Sequence, residues 1–258
     1  MKLVYTASFV VIAFLICTVS CEDQSPVASS LQERKEYIYS LQKNQFEEAI
    51  ERRNRSIAKL RELGIPFSKG QPALPPASNV HLREKHQILQ RSYALAAVCK
   101  KAAGASSSEQ TGFMGSLNVR KFLSPVEREF IDNPSPTSAE IIDFSWRNES
   151  LLVLFWSLGF IHDLPYPNSQ SNMDLVYRIF QYSYPGQLES KAHLRTKEEI
   201  LDRADLVYRM HWAATESRLN PDFPKIDLDE RVLFQWHYAF NWLIHYMDEP
   251  WDNVSTDT

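Results

Sequence analysis

Cysteine, glycine and the short signatures of known chemistry are what this chain has least of. Of 258 residues, three are cysteine and seven are glycine. No GxGxxG or P-loop pattern occurs, so no glycine-rich cradle for phosphate is expected. HExxH, CxxC and other zinc spacings are missing, which leaves no expected metal and no expected cofactor. No run alternates apolar and polar residues with period two, which argues against a sheet, and no internal repeat is visible. Lysine and arginine (28) nearly balance aspartate and glutamate (32), giving a net charge of −4 with no basic cluster. Nucleic acid is therefore not an expected partner. What the chain does have is apolar mass: 44% hydrophobic residues, with six tryptophans, eleven tyrosines and fourteen phenylalanines. That composition predicts a core packed largely with aromatic rings. The length allows one large or two small domains.

The three cysteines divide by position. Residues 1–20 read as a signal peptide: Lys2, an apolar stretch from Leu3 to Ile16, then the small residues of Thr18-Val19-Ser20. Cys21 follows at once, in the manner of a bacterial lipoprotein signal whose cysteine carries the lipid, although Thr18 stands where leucine is usual. Secretion after Ser20 without lipid is the alternative, and an uncleaved anchor a third, for which the apolar stretch is short. The lipoprotein reading places the protein at the cell envelope and on a membrane through its N-terminal lipid alone. Residues 21–30 read as a polar tether. Only Cys99 then remains, on an apolar helix face, where a lone thiol acts as a small core residue.

Residues 31–258 read as one all-α domain of about seven or eight helices. Leu31 to Leu63 shows a helical stripe, stopped by Gly64 and Pro66. Pro66 to Pro76 is a loop, Val80 to Ala103 a helix, and Gly104 to Gly112 a break rich in small residues. Ser124-Pro125-Val126-Glu127 joins a capping box to a proline at the first helical position. A box at Thr137 and Glu140 leads into a helix from Ile141 to Ile161, apolar on every side from Leu151 to Trp156. Met173 to Tyr182 is helical. Thr196 and Glu199 cap a long helix, Lys197 to Leu219, and Asp227 with Glu230 caps the last, Arg231 to Met247.

The segments RNRSIAKLRELGIP, LSPVEREF, WRNESLLVLFWSLG, LRTKEEILDRADLVYRMHWA, HYAFNWL and WDNVSTDT together resemble the bacterial family catalogued as domain of unknown function 4272. The resemblance covers roughly residues 52–258. It implies a fold and no mechanism, since the family carries no established activity. The family pattern has Glu-Arg ahead of the His-Tyr of the last helix, where this chain has Gln235-Trp236.

Three constellations are candidate sites. On the long helix, Asp202, Asp205, Arg209 and His211 ride beside large apolar residues. His211 reads either as a general base or ligand or as a hydrogen-bonded core histidine. Asp202 and Asp205 share a face, and Asp205 with Arg209 has the acid-first spacing of four that favours an ion pair. Second, Trp146, Arg147 and Glu149 open an apolar helix. Arg147 and Glu149 sit two apart and do not face each other, so each needs a partner elsewhere: Asp252 or Asp257 for Arg147, Arg209 for Glu149. Third, His237, Asn241 and His245 form a polar stripe on the last helix, its two histidines about 12 Å apart and unable to share an ion. Trp212 belongs to an aromatic set that serves as core or as ligand cage. Two functions fit. One is a non-enzymatic, envelope-anchored domain that binds a protein or peptide, with Trp146, Arg147, Trp212, His237, Asn241, Asp252 and Asp257 as binding residues. The other is a hydrolase with Glu149, Asp202, Asp205, Arg209 and His211 lining one pocket.

Overall fold

The computed structural model describes the backbone of residues 31–181 and 186–258, with side chains from residue 46 onward except at 181–185. The expected signal (1–20), Cys21 and the tether (21–30) lie outside the described residues. The chain divides into two compact units, Met1–Leu41 and Gln42–Thr258. The described part of the first is helical backbone from residue 31. The second holds the core.

The fold is all-α: among the described residues there is no strand. In chain order the helices are α1 (Leu31–Glu62), α2 (Lys85–Ala102), α3 (Ser107–Ser116), α4 (Pro125–Asp132), α5 (Ser138–Ser145), α6 (Arg147–Ser157), α7 (Asp174–Gln181), α8 (Gln187–Lys191), α9 (Lys197–Leu219) and α10 (Glu230–Leu243). None of them is long and apolar enough to cross a membrane. α1 stops as the glycine signal requires. Gly64 takes φ +68°, and the Ile65 amide donates back to the Leu60 carbonyl at 2.8 Å.

The centre is a row of packed helices: α2 lies on α6, α6 on α10, and α10 on α9. Every residue from Arg91 to Cys99 and from Glu149 to Ser157 is buried, so α2 and α6 are enclosed on all sides. Aromatic rings fill the seams. Trp156 meets Phe240 edge-on at 5.7 Å, and Phe130 stacks on Phe144 at 3.9 Å.

The proline-rich loop after α1 is held by two buried arginines. Proline removes amide donors and leaves carbonyls that must still be satisfied. Arg52 donates to the carbonyls of Leu74 (3.1 Å) and Pro75 (2.5 Å), and Arg209 to that of Pro72 (2.9 Å).

Several elements differ from the sequence expectation. α2 starts at Lys85, where Glu84 and Gln87 form the capping box. The expected break at 104–112 is largely helix α3, because Ser106 and Glu109 cap it reciprocally. The single helix expected over 141–161 is two. At Trp146 the backbone tightens, the Glu149 amide donating to the Trp146 carbonyl at 3.1 Å, and α6 turns into the core. Asp229, two residues beyond Asp227, caps α10 by accepting from the amides of Arg231 (2.9 Å) and Val232 (3.4 Å). α10 ends at Leu243, short of Met247, and His245 beyond it has φ +52°.

Candidate functional site

The ionisable groups of the core close upon themselves. Asp205 and Arg209, both fully buried, form a two-bonded fork on α9: Nε to Oδ2 and Nη2 to Oδ1, each 2.8 Å. That is the i,i+4 pair with its ideal geometry. Glu149 is also fully buried and does not meet Arg209. Its carboxylate accepts from the Ser171 amide (2.6 Å), the Ser171 hydroxyl (2.8 Å) and the Trp236 indole (2.9 Å). Burial raises its pKa above the usual carboxylate range, against the pull of those donors. Trp236, one of the two residues that depart from the family pattern, thus supplies a neutral donor to a buried acid. Its neighbour Gln235 accepts from the Ser150 hydroxyl at 2.7 Å.

His211 and His237 face each other across α9 and α10, Nδ1 to Nδ1 at 3.0 Å. The Asn241 amide donates to His237 Nε2 (3.0 Å) and to the Ser255 carbonyl (2.8 Å), which ties α10 to the C-terminal segment. An amide donating to Nε2 leaves the proton on Nδ1 of His237, so His211 accepts and both rings are neutral; the tautomers follow from the network. Burial lowers both pKa values, to about 4 for His211 and about 3 for His237. The expected stripe stops at Asn241, because His245 lies beyond the helix and pairs with Asp248 at 2.9 Å.

The remaining candidates scatter. Asp202 is half exposed and pairs with Arg55 at 2.6 Å, in a separate cleft. Trp212 packs edge-on against Phe223 at 5.7 Å. Asp252 accepts from the Val126 amide at 3.2 Å, and Asp257 is exposed. Neither aspartate reaches Arg147. The five groups of the hydrolase reading therefore do not line one pocket: Asp205, Glu149 and His211 each find hydrogen-bond partners inside the core, as does Arg209 through Nε and Nη2, while its Nη1 stays unpaired. Among the described residues no three His, Cys, Asp or Glu side chains gather as a metal shell.

Arg147 differs in standing beside open cavities. Its guanidinium lies over the Tyr238 ring at 5.1 Å. The Tyr238 hydroxyl donates to the Trp251 carbonyl, fixing the C-terminal segment. Its Nη1 is buried and has no hydrogen-bond partner, and among the described residues no carboxylate pairs with it. The side chain forms a wall between two adjoining cavities. One, about 640 Å³, is lined by Ile142, Asp143, Trp146, Arg218, Glu230, Arg231, Phe234 and Gln235. The other, about 290 Å³, is lined by Val126, Glu129, Phe130, Glu140, Asp143 and Phe144. Beyond Arg218, Glu230 and Arg231 the larger cavity adjoins a third of about 450 Å³. Together they make a groove along α4, α5, the start of α6, and α10. Ile142 (56%) and Phe234 (39%) present open apolar surface to it, and Arg231 stacks on Trp146 at 4.4 Å. Of the sequence candidates, only Trp146 and Arg147 fall here. Phe234 and Arg231 escape a sequence reading because nothing in an apolar helix marks which residue stays uncovered.

Fold and groove define an all-α domain with a largely hydrogen-bonded polar core and an open surface groove beside Arg147, which has no carboxylate partner among the described residues. Residues 52–254 match the family described as Domain of unknown function (DUF4272), most of the chain, and the chain belongs to that family. No curated protein and no solved structure matches it.

Proposed function

We propose that this is a non-enzymatic binding domain whose groove takes an extended segment of a partner protein. The observation that carries the reading is the Arg147 guanidinium, with a buried and unpaired Nη1 in the wall of an apolar, aromatic-lined groove. An unsatisfied buried donor costs about 1–3 kcal/mol, more for a charged group, and a ligand acceptor would recover that cost. Aromatic walls beside an arginine are the usual composition of an interface centre. The groove is open at the surface and several side chains long, which suits a peptide better than an enclosed small molecule. The core pairings of Asp205, Arg209, Glu149 and His211 favour this over hydrolysis by that set, since they keep these four groups out of the cavities described.

We place the domain at the cell envelope, held by lipid on Cys21 through the tether of residues 21–30. The support is the signal-like N-terminal sequence. Delivery of a tethered peptide-binding domain to a membrane surface raises the effective concentration of partners fixed there.

Random-sequence peptide display against the full chain tests the groove. Enriched peptides should bind the wild type in solution and lose at least tenfold in affinity on Phe234→Glu, with helical content unchanged by circular dichroism. Failure to enrich any peptide, or peptides that bind Phe234→Glu as well as the wild type, would overturn the reading.

A further inference from the structure

The groove is charged unevenly along its length. At the α4–α5 end stand Glu129, Glu140 and Asp143. Glu140 is held in its capping box by Thr137, whereas Glu129 and Asp143 make no ion pair among the described residues. At the α10 end stand Arg231 and Arg218, with Arg147 in the wall between the two cavities. Arg218 is neutralised by Glu230 through two hydrogen bonds. Arg231 has only a long contact to Asp229, at 3.4 Å, and its side chain is 68% exposed. The smaller cavity thus sets Glu129, Glu140 and Asp143 against Arg147 alone, and the larger sets Arg147, Arg218 and Arg231 against Asp143 and Glu230, with Asp143 and Arg147 in the wall they share.

Resting on the peptide-binding reading, we propose that the groove fixes the direction of its ligand. It selects an extended segment with a lysine or arginine at the α4–α5 end, an apolar side chain in the middle, and an aspartate or glutamate side chain on Arg147 and Arg231. Complementary charge at both ends sets register and excludes the reversed chain, because reversal brings like charges together at each end. The carboxylate comes from a side chain within the segment and not from a chain terminus. The groove continues past Arg231 into the third cavity, where Lys225 and Ser217 leave room for the chain to run on.

Fluorescence anisotropy on the full chain tests this with a labelled probe, acetyl-Lys-Ser-Ala-Leu-Phe-Asp-Ser-amide. Compared with it are the reversed sequence, the probe with lysine replaced by glutamate, the probe with aspartate replaced by asparagine, and a free acid ending at the phenylalanine. The parent should bind at least tenfold tighter than each of the four. Arg147→Met, and separately Arg231→Met in case the first does not fold, should abolish the preference for aspartate over asparagine. The double variant Glu129→Gln, Asp143→Asn should abolish the preference for lysine over glutamate and keep the aspartate preference. Equal binding of parent and reversed peptides overturns the directional proposal and leaves the groove reading standing. Tightest binding by the free acid overturns the internal-carboxylate assignment. No binding of any of these peptides, together with failed peptide display, overturns both readings.

Discussion

A buried charge is tolerable only when its partner is fixed, and Asp205 with Arg209 shows the rule at the scale of single residues. Asp205→Ala leaves a fully buried guanidinium without its counter-ion, which should cost about 3–5 kcal/mol. The double variant Asp205→Leu, Arg209→Met removes both charges and should recover most of that loss, although the Pro72 carbonyl loses a donor. Urea denaturation of the single and double variants measures the difference. A double variant less stable than the single would contradict the account. His211 and His237 respond to pH instead. Folding lowers both pKa values from about 6.5, so the unfolded chain binds more protons as pH falls below that value. The pair's contribution is intact above pH 7. It is lost as pH falls from about 6.5 towards the folded values of about 4 and about 3. Each unit of difference corresponds to roughly 1.4 kcal/mol, so the urea midpoint should drop clearly between pH 7 and pH 5. Glu149, with a raised pKa, works in the opposite direction and loses stability as pH rises. His211→Asn separates the two, because it should flatten the drop. An unchanged slope in that variant would show that other groups set the acid limit.

At the scale of elements, the capping boxes of α3, α4, α5 and α9 each place Ser or Thr three residues ahead of Glu, and each forms as reciprocal hydrogen bonds. The starts of α4, α5 and α9 are legible because both partners lie within one turn of chain, whereas that of α3 hides among small residues. The split between α5 and α6 is not legible. Nothing local forbids a continuous helix through Trp146; the tightening there lets Glu149 and Ser150 reach Ser171 and Gln235. Gly159, just after α6, is also decided by its surroundings. It takes φ +75°, and a Cβ on it would lie 2.9 Å from the His193 carbonyl oxygen, where residues 157–158 pair with 193–195. Gly159→Ala therefore combines left-handed strain, about 1–2 kcal/mol, with a clash against backbone that cannot swing away. A fall in Tm of several degrees is the expected result, and an unchanged Tm would refute it.

For the whole molecule, the C-terminal segment acts as a clamp. Trp251 is buried between Tyr238 (5.1 Å) and Trp242 (5.4 Å), with the Arg91 guanidinium over its ring at 5.0 Å. The same Tyr238 carries Arg147, so the groove's central cation and the terminal clamp share one support. At the other end of the chain, the proposed lipid on Cys21 would make the domain a membrane passenger. Cys21→Ser should move the protein from the membrane fraction to the soluble fraction in the native host. An unchanged membrane fraction on immunoblot would exclude lipid at that position.

The amino-acid sequence by itself determined the all-α class, the bounds of α9, the glycine stop of α1, the three capped starts of α4, α5 and α9 and the Asp205–Arg209 pair. These depend on apolar periodicity and on hydrogen bonds spanning three to five residues of chain. Only the tertiary structure decided that Glu149 binds Ser171, 22 residues away, and Trp236, 87 away, in place of Arg209. It alone decided that His211 meets His237, and that Arg147, beside an open groove, has no carboxylate partner among the described residues. The physical reason is that a buried polar group takes whichever partner packing brings within about 3 Å, and a groove exists where packing leaves surface uncovered. Neither distance nor uncovered surface is written in the spacing of residues along a helix.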